Sequence, residues 1–92
     1  MADKPFSYQQ GAMLHDAIMG AFRARGSHFE EWCKDNCLTP AVVRNVTYGQ
    51  MKGPKGRTIL AKLIEDAGKE VVRVGYETRL RKHASEVAGD AA

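Results

Sequence analysis

The stretch from Ser27 to Gly49, SHFEEWCKDNCLTPAVVRNVTYG, limits the possible folds of this chain more than any other. Ser27 with Glu30 has the spacing of a capping box, in which a hydroxyl and a carboxylate satisfy orphan N–H groups at a helix start. Phe29, Trp32 and Cys33 then recur at helical spacing, while Glu30, Glu31 and Lys34 face the other way. Asp35, Asn36 and Cys37 break that pattern, and Leu38 is an apolar plug. Thr39 is suited to cap a second helix, with Pro40 at the first position, where a missing N–H costs nothing. Val43 and Val46 face inward along it, leaving Thr39, Pro40, Ala41, Arg44, Asn45 and Tyr48 on the outer side. Gly49 suits a left-handed stop. Two short helices, a tight turn and a polar outward face on the second predict a helix-turn-helix.

Charge reinforces this reading. The net charge is only +3. However, the segment from Asn36 to Lys62 carries Arg44, Lys52, Lys55, Arg57 and Lys62 with no acid, whereas acids match or outnumber bases on either side. A basic surface in and just after the motif is what a polyanionic duplex requires. On the outer face of the second helix, Arg44 can chelate guanine O6/N7 and Asn45 adenine N6/N7. Thr39, Pro40, Ala41 and Tyr48 are the other expected base-reading residues. Ser27, His28, Lys52, Lys55 and Arg57 are expected on phosphates, where they position without specifying.

With 92 residues, one domain with one modest core is expected. Residues 1–6 are expected to be a flexible arm. A first helix is expected from Tyr8 to about Arg25, with Ser7 and Gln10 as its capping box, Leu14, Ile18, Ala21 and Phe22 as its core face, and Gly26 as its end. Gly20 weakens this helix unless another packs close there. Gly53-Pro54 opens a further helix with Ile59, Leu60, Leu63, Ile64 and Ala67 as its buried stripe, ending at Gly68. The helix-turn-helix domain is thus expected to span residues 7–68. A fifth helix follows over 69–87, with Val71, Val72, Tyr76 and Leu80 as a candidate dimer interface. A disordered tail is expected at 88–92.

Other chemistries lack support. Cys33 and Cys37 with His28 fall short of the four ligands of a structural zinc site, and no matching pair lies downstream. Cys33 is expected in the core and Cys37 in the turn, where positive φ favours glycine. His15 and His83 have no nucleophile near in sequence and are expected to be surface or packing residues. The acids form no paired arrangement, so no enzyme, metal, cofactor or small-molecule substrate is expected. The Gly-rich loop before Pro54 lacks a Walker or dinucleotide pattern. No run of apolar residues is long enough to span a membrane, MADKPFSYQQ has no apolar signal core, and two cysteines make no disulfide framework. A cytoplasmic, nucleoid-associated protein of a bacterial or phage-infected cell is expected.

WCKDNCLTPAVVRNVTYG followed by GPKGRTILAKLIEDAG resembles the small phage regulators of the lambda-repressor-like class, the Cro and Ner type, over roughly residues 12–68. The resemblance implies an all-α, compact five-helix domain. It implies a homodimer that binds operator DNA through the third helix and acts as repressor or activator. The chain departs from the family at Cys37, where glycine is usual, and at Asn36, where an apolar residue is common. The alternative from another class is an antitoxin- or antirepressor-like adaptor that binds a partner protein through its C-terminal helix.

Overall fold

The computed structural model describes residues 8–51 and 53–91. Within them the chain is all-helical, with α1 at Ala12–Ala24, α2 at Phe29–Asp35, α3 at Pro40–Thr47 and α4 at Pro54–Ala91. The count is therefore four helices among the described residues, not the five that the sequence and the family resemblance predict. The difference lies at Gly68. Helix α4 continues from its proximal arm (54–67) into its distal arm (69–91) across a kink at this one non-helical residue, at φ 113 and ψ 95. Only glycine adopts that conformation readily, so the expected end of a helix becomes an elbow within one.

The first three helices stop by the same device. Each is followed by a residue with positive φ: Gly26 at 72°, Cys37 at 57° and Gly49 at 88°. In each case the N–H of that residue and the next return to carbonyls of the last turn. Gly26 bonds to Arg23 and Ser27 to Phe22; Cys37 to Lys34 and Leu38 to Cys33; Gly49 to Val46 and Gln50 to Asn45. This is the Schellman closure, which satisfies carbonyls the helix leaves unpaired.

The closure of α1 also corrects the expected capping box. Because the Ser27 N–H closes α1, α2 begins one residue later, with His28 at the N-cap and no side-chain cap bond. Helix α1 likewise starts later than expected, at Ala12 with Gly11 as N-cap, and Ser7 lies outside the described residues. At the other end, α4 remains helical to Ala91, where a disordered tail is expected from residue 88. Extending an existing helix is far easier than nucleating one, and no proline interrupts the stretch. The expected arm at 1–6 lies outside the described residues.

One core joins all four helices. Leu14, Ile18 and Phe22 of α1 meet Phe29, Trp32 and Cys33 of α2, Val43 and Val46 of α3, and Ile59, Leu63 and Ala67 of the proximal arm. Leu60 and Ile64 are half-buried at its edge. Burial pushes the Cys33 thiol above its ordinary pKa, so it behaves as a small apolar residue. Val72 and Tyr76 of the distal arm also belong to this core. Tyr76 meets the edge of the Tyr8 ring at 5.0 Å, and its hydroxyl accepts the Gln9 N–H at 3.1 Å. The distal arm crosses α1 at small residues: a Cβ on Gly75 would lie 3.7 Å from that of Ala17, and the Arg79 guanidinium covers Gly20. The close neighbour that Gly20 needs is therefore present. Past this crossing, Thr78 to Glu86 are exposed at every position.

Candidate nucleic-acid interface

Helix α3 is held from three directions. At its start the Thr39 hydroxyl accepts the Val42 N–H at 3.2 Å, with Pro40 at the first helical position. Along its length Val43 and Val46 are fully buried. At its end the Gly11 N–H donates to the Thr47 carbonyl at 2.9 Å, and the Gln10 side-chain amide donates to the Val46 carbonyl. The segment before α1 thereby ties down carbonyls that an α-helix leaves unpaired at its C-terminus.

The outer face is open. Thr39, Ala41, Arg44, Asn45 and Tyr48 are exposed and Pro40 is half-buried. Positions 41, 44, 45 and 48 follow the three-to-four spacing of one helical face. Among the described residues, the distal arm of α4 leaves Arg44 and Asn45 exposed. Arg44 carries the positive charge of this face, and Asn45 and Thr39 supply donors and acceptors beside it.

The candidate phosphate contacts lie at two helix starts. His28 is exposed at the N-cap of α2 and Ser27 is half-buried before it. Lys55 and Arg57 are exposed in the first turn of α4, where unpaired N–H groups and the helix dipole favour an anion. Lys52 lies outside the described residues. The loop is closely packed: Gly56 is buried, and a Cβ there would collide with the Met51 carbonyl.

The candidate dimer interface needs correction. Val72 and Tyr76 are buried in the chain's own core, because Gly68 turns that side of the distal arm onto α1. Neither can meet a second copy without unpacking the domain. Val71 and Leu80 are exposed, and so is Val74, at 54%, which the sequence pattern alone did not single out. The distal arm is held helical on its outer side by the Arg73–Glu77 pair at 3.2 Å and the Arg81–Glu77 pair at 3.5 Å, each one turn apart.

On the inner side of α3, His15 of α1 takes the packing role of the two expected for it (surface or packing), and its partner Thr47 of α3 was not singled out by the sequence. His15 on α1 is 9% exposed, with Nδ1 2.9 Å from the Thr47 hydroxyl and its ring stacked on Tyr48 at 4.7 Å. Burial pushes its imidazole below the ordinary pKa; Asp16 opposes the shift and Arg44 adds to it. His15 lies three residues before Ile18 and seven before Phe22, on the buried arc of α1, and that spacing was the available signal. Thr47 offered none, because threonine is ordinary on either face of a helix.

Among the described residues no group of three or more His, Cys, Asp and Glu side chains could hold a metal ion. No helix among them is long and apolar enough to cross a membrane. No protein-family model, curated protein or solved structure was found that matches the chain.

Proposed function

We propose that this chain is a sequence-specific double-stranded-DNA-binding transcriptional regulator of the lambda-repressor-like, Cro/Ner-like kind, with α3 as its recognition helix. The observation that carries the reading is the division of α3 into two sides. Val43 and Val46 are fully buried, while Arg44 and Asn45 stand exposed on a rigidly capped helix. In a major groove Arg44 and Asn45 read base edges, Thr39, Pro40 and Ala41 make close contacts at the helix start, and Lys55 and Arg57 hold backbone phosphates. Binding blocks or recruits polymerase at an operator.

A single domain of this size makes few phosphate contacts, and a homodimer doubles them. In this proposal the outer side of the distal arm, with Val71, Val74 and Leu80, joins two copies. Their recognition helices then read half-sites one helical turn apart, about 34 Å.

Selection from random duplex DNA tests the reading in one step, because it reports binding, symmetry and spacing together. An enriched inverted repeat is expected, with Arg44→Ala and Asn45→Ala each weakening the selected site by about 1–3 kcal/mol. Unchanged affinity in both variants would overturn direct readout by α3.

The exposed run from Thr78 to Glu86, joined to Val71 and Val74, favours one second reading. In it the chain is an antitoxin- or antirepressor-like adaptor that grips a partner protein with the distal arm. Failure to enrich any duplex, with a partner bound through that arm, would select it.

A further inference from the structure

The His15 ring touches both helices of the motif, at Thr47 and Tyr48 at the end of α3 and at Phe29 at the start of α2. Its Nδ1 is 2.9 Å from Thr47 Oγ1, and that hydroxyl donates to the Arg44 carbonyl at 3.0 Å. A hydroxyl has one hydrogen, so when it points at the carbonyl, the hydrogen shared with His15 sits on Nδ1. The neutral Nδ1–H tautomer follows, with Nε2 left as an acceptor. The same ring stacks on Tyr48, with centroids 4.7 Å apart and planes 28° apart, and meets the edge of Phe29 at 6.1 Å.

Tyr48 depends on such a support. It is the C-cap residue of α3, 44% exposed, and lies past the last residue of the helix proper. Its ring is stacked on His15 on one side. Held flat against a buried imidazole, its phenol points one way; released, it samples several rotamers.

We propose that His15 is a positioning residue for the DNA-reading face. The neutral imidazole holds Tyr48 and the last turn of α3 in the orientation that meets the duplex at that end of the helix. The proposal rests on the DNA-binding reading above. The charged and titratable groups around the ring come from every helix packed on it: Asp16 and Arg23 on α1, His28 and Glu30 on α2, and Arg44 on α3. His15, His28, Glu30 and Arg44 share the wall of a cavity of about 320 Å³. Protonation adds a cation beside Arg44 and a second N–H in need of an acceptor. Repulsion from Arg44 and the unmet N–H loosen the ring's seat against Tyr48, and the orientation is lost.

The test is a double-mutant cycle on the full chain with its selected duplex, using His15→Ala, Tyr48→Ala and the pair. Each single change is expected to weaken binding about fivefold, and the pair no more than either alone, because the two act as one unit. His15→Phe, which keeps a stacking ring, is expected to restore most of the affinity. A merely structural role would not alter base preference. The preference at the base pair where Tyr48→Ala abolishes discrimination should fall between pH 7.5 and 5.5 in the native protein and stay flat in His15→Phe. Additive single effects, or a preference independent of pH, would overturn the proposal. If His15→Ala does not fold, the cycle is run with His15→Leu, which fills the site without a ring. If the native protein enriches no duplex, the DNA reading fails separately, and the Tyr48 ring resonances decide the positioning role. Movement as His15 titrates supports it, and resonances unchanged across that titration overturn it.

Discussion

The indole N–H of Trp32 donates to the Asp66 carboxylate at 2.9 Å, joining α2 to the proximal arm of α4. Arg25 adds a bond from its guanidinium to the Asp66 carbonyl, and Lys62 lies 3.5 Å from the same carboxylate. Asp66 is thus the point where the end of α1, the middle of α2 and α4 converge. Asp66→Ala should lower unfolding free energy by about 1–2 kcal/mol, because it leaves the nearly buried indole N–H without its acceptor. Urea denaturation measures the loss, and Asp66→Asn should recover part of it.

Cys37 holds φ at 57°, where a side chain costs about 1 kcal/mol relative to glycine. Cys37→Gly should therefore raise the melting temperature by several degrees in a domain of this size. Cys37→Val, with its branched β-carbon, should lower it. Calorimetry on the two variants gives opposite signs if the Schellman closure of α2 is as described.

Gly53 and Gly56 form a matched pair. Open space surrounds the position of a Cβ on Gly53, whereas one on Gly56 meets the Met51 carbonyl. Gly56→Ala should destabilise by about 1–3 kcal/mol through overpacking, and Gly53→Ala by less than about 0.5 kcal/mol. Parallel chemical denaturation of the two variants checks the contrast.

Acid should loosen the domain through His15. Its folded-state pKa lies below the unfolded value of 6.5, so the unfolded chain binds the proton first. The neutral ring's full contribution is present above pH 6.5 and is lost as pH falls toward the folded value. His15→Phe should flatten this part of the stability–pH curve, and unfolding free energies measured between pH 7.5 and 5 test it.

For DNA binding, Lys55→Ala should weaken all duplexes similarly and reduce the salt slope by about one, the signature of a lost phosphate contact. Val74→Glu with Leu80→Glu should leave the fold intact, since both residues are exposed, and convert a dimer to monomer in sedimentation. A native chain that sediments as a monomer at tens of micromolar would remove the dimer from the proposal.

Local chemistry was the legible part of this molecule. Thr39 and Pro40 cap α3 as their types demand, Cys37 takes the positive φ its place in the turn requires, and Gly49 ends α3. The exposure of Arg44 and Asn45 follows from the spacing of Val43 and Val46 alone. Competition between neighbouring elements was harder to read. Ser27 and Glu30 fit a capping box, but closing α1 already uses the Ser27 N–H, which moves the start of α2 by one residue. Val71 and Val72 look alike in sequence, and only the direction in which the distal arm leaves the elbow decides which is core and which is surface. His15 and Thr47 meet across 32 positions of sequence, a distance that no periodicity argument spans.

The direction of that arm is encoded at a single codon. At φ 113 and ψ 95, any replacement for Gly68 would be strained. Its simplest relief is to straighten the rod and swing the last helix off the flank of α1. Val72, Tyr76 and the small-residue seam at Ala17 would then face water. One nucleotide change would in this way turn a closed fold into one with a long greasy edge, prone to trading its last helix with a neighbour.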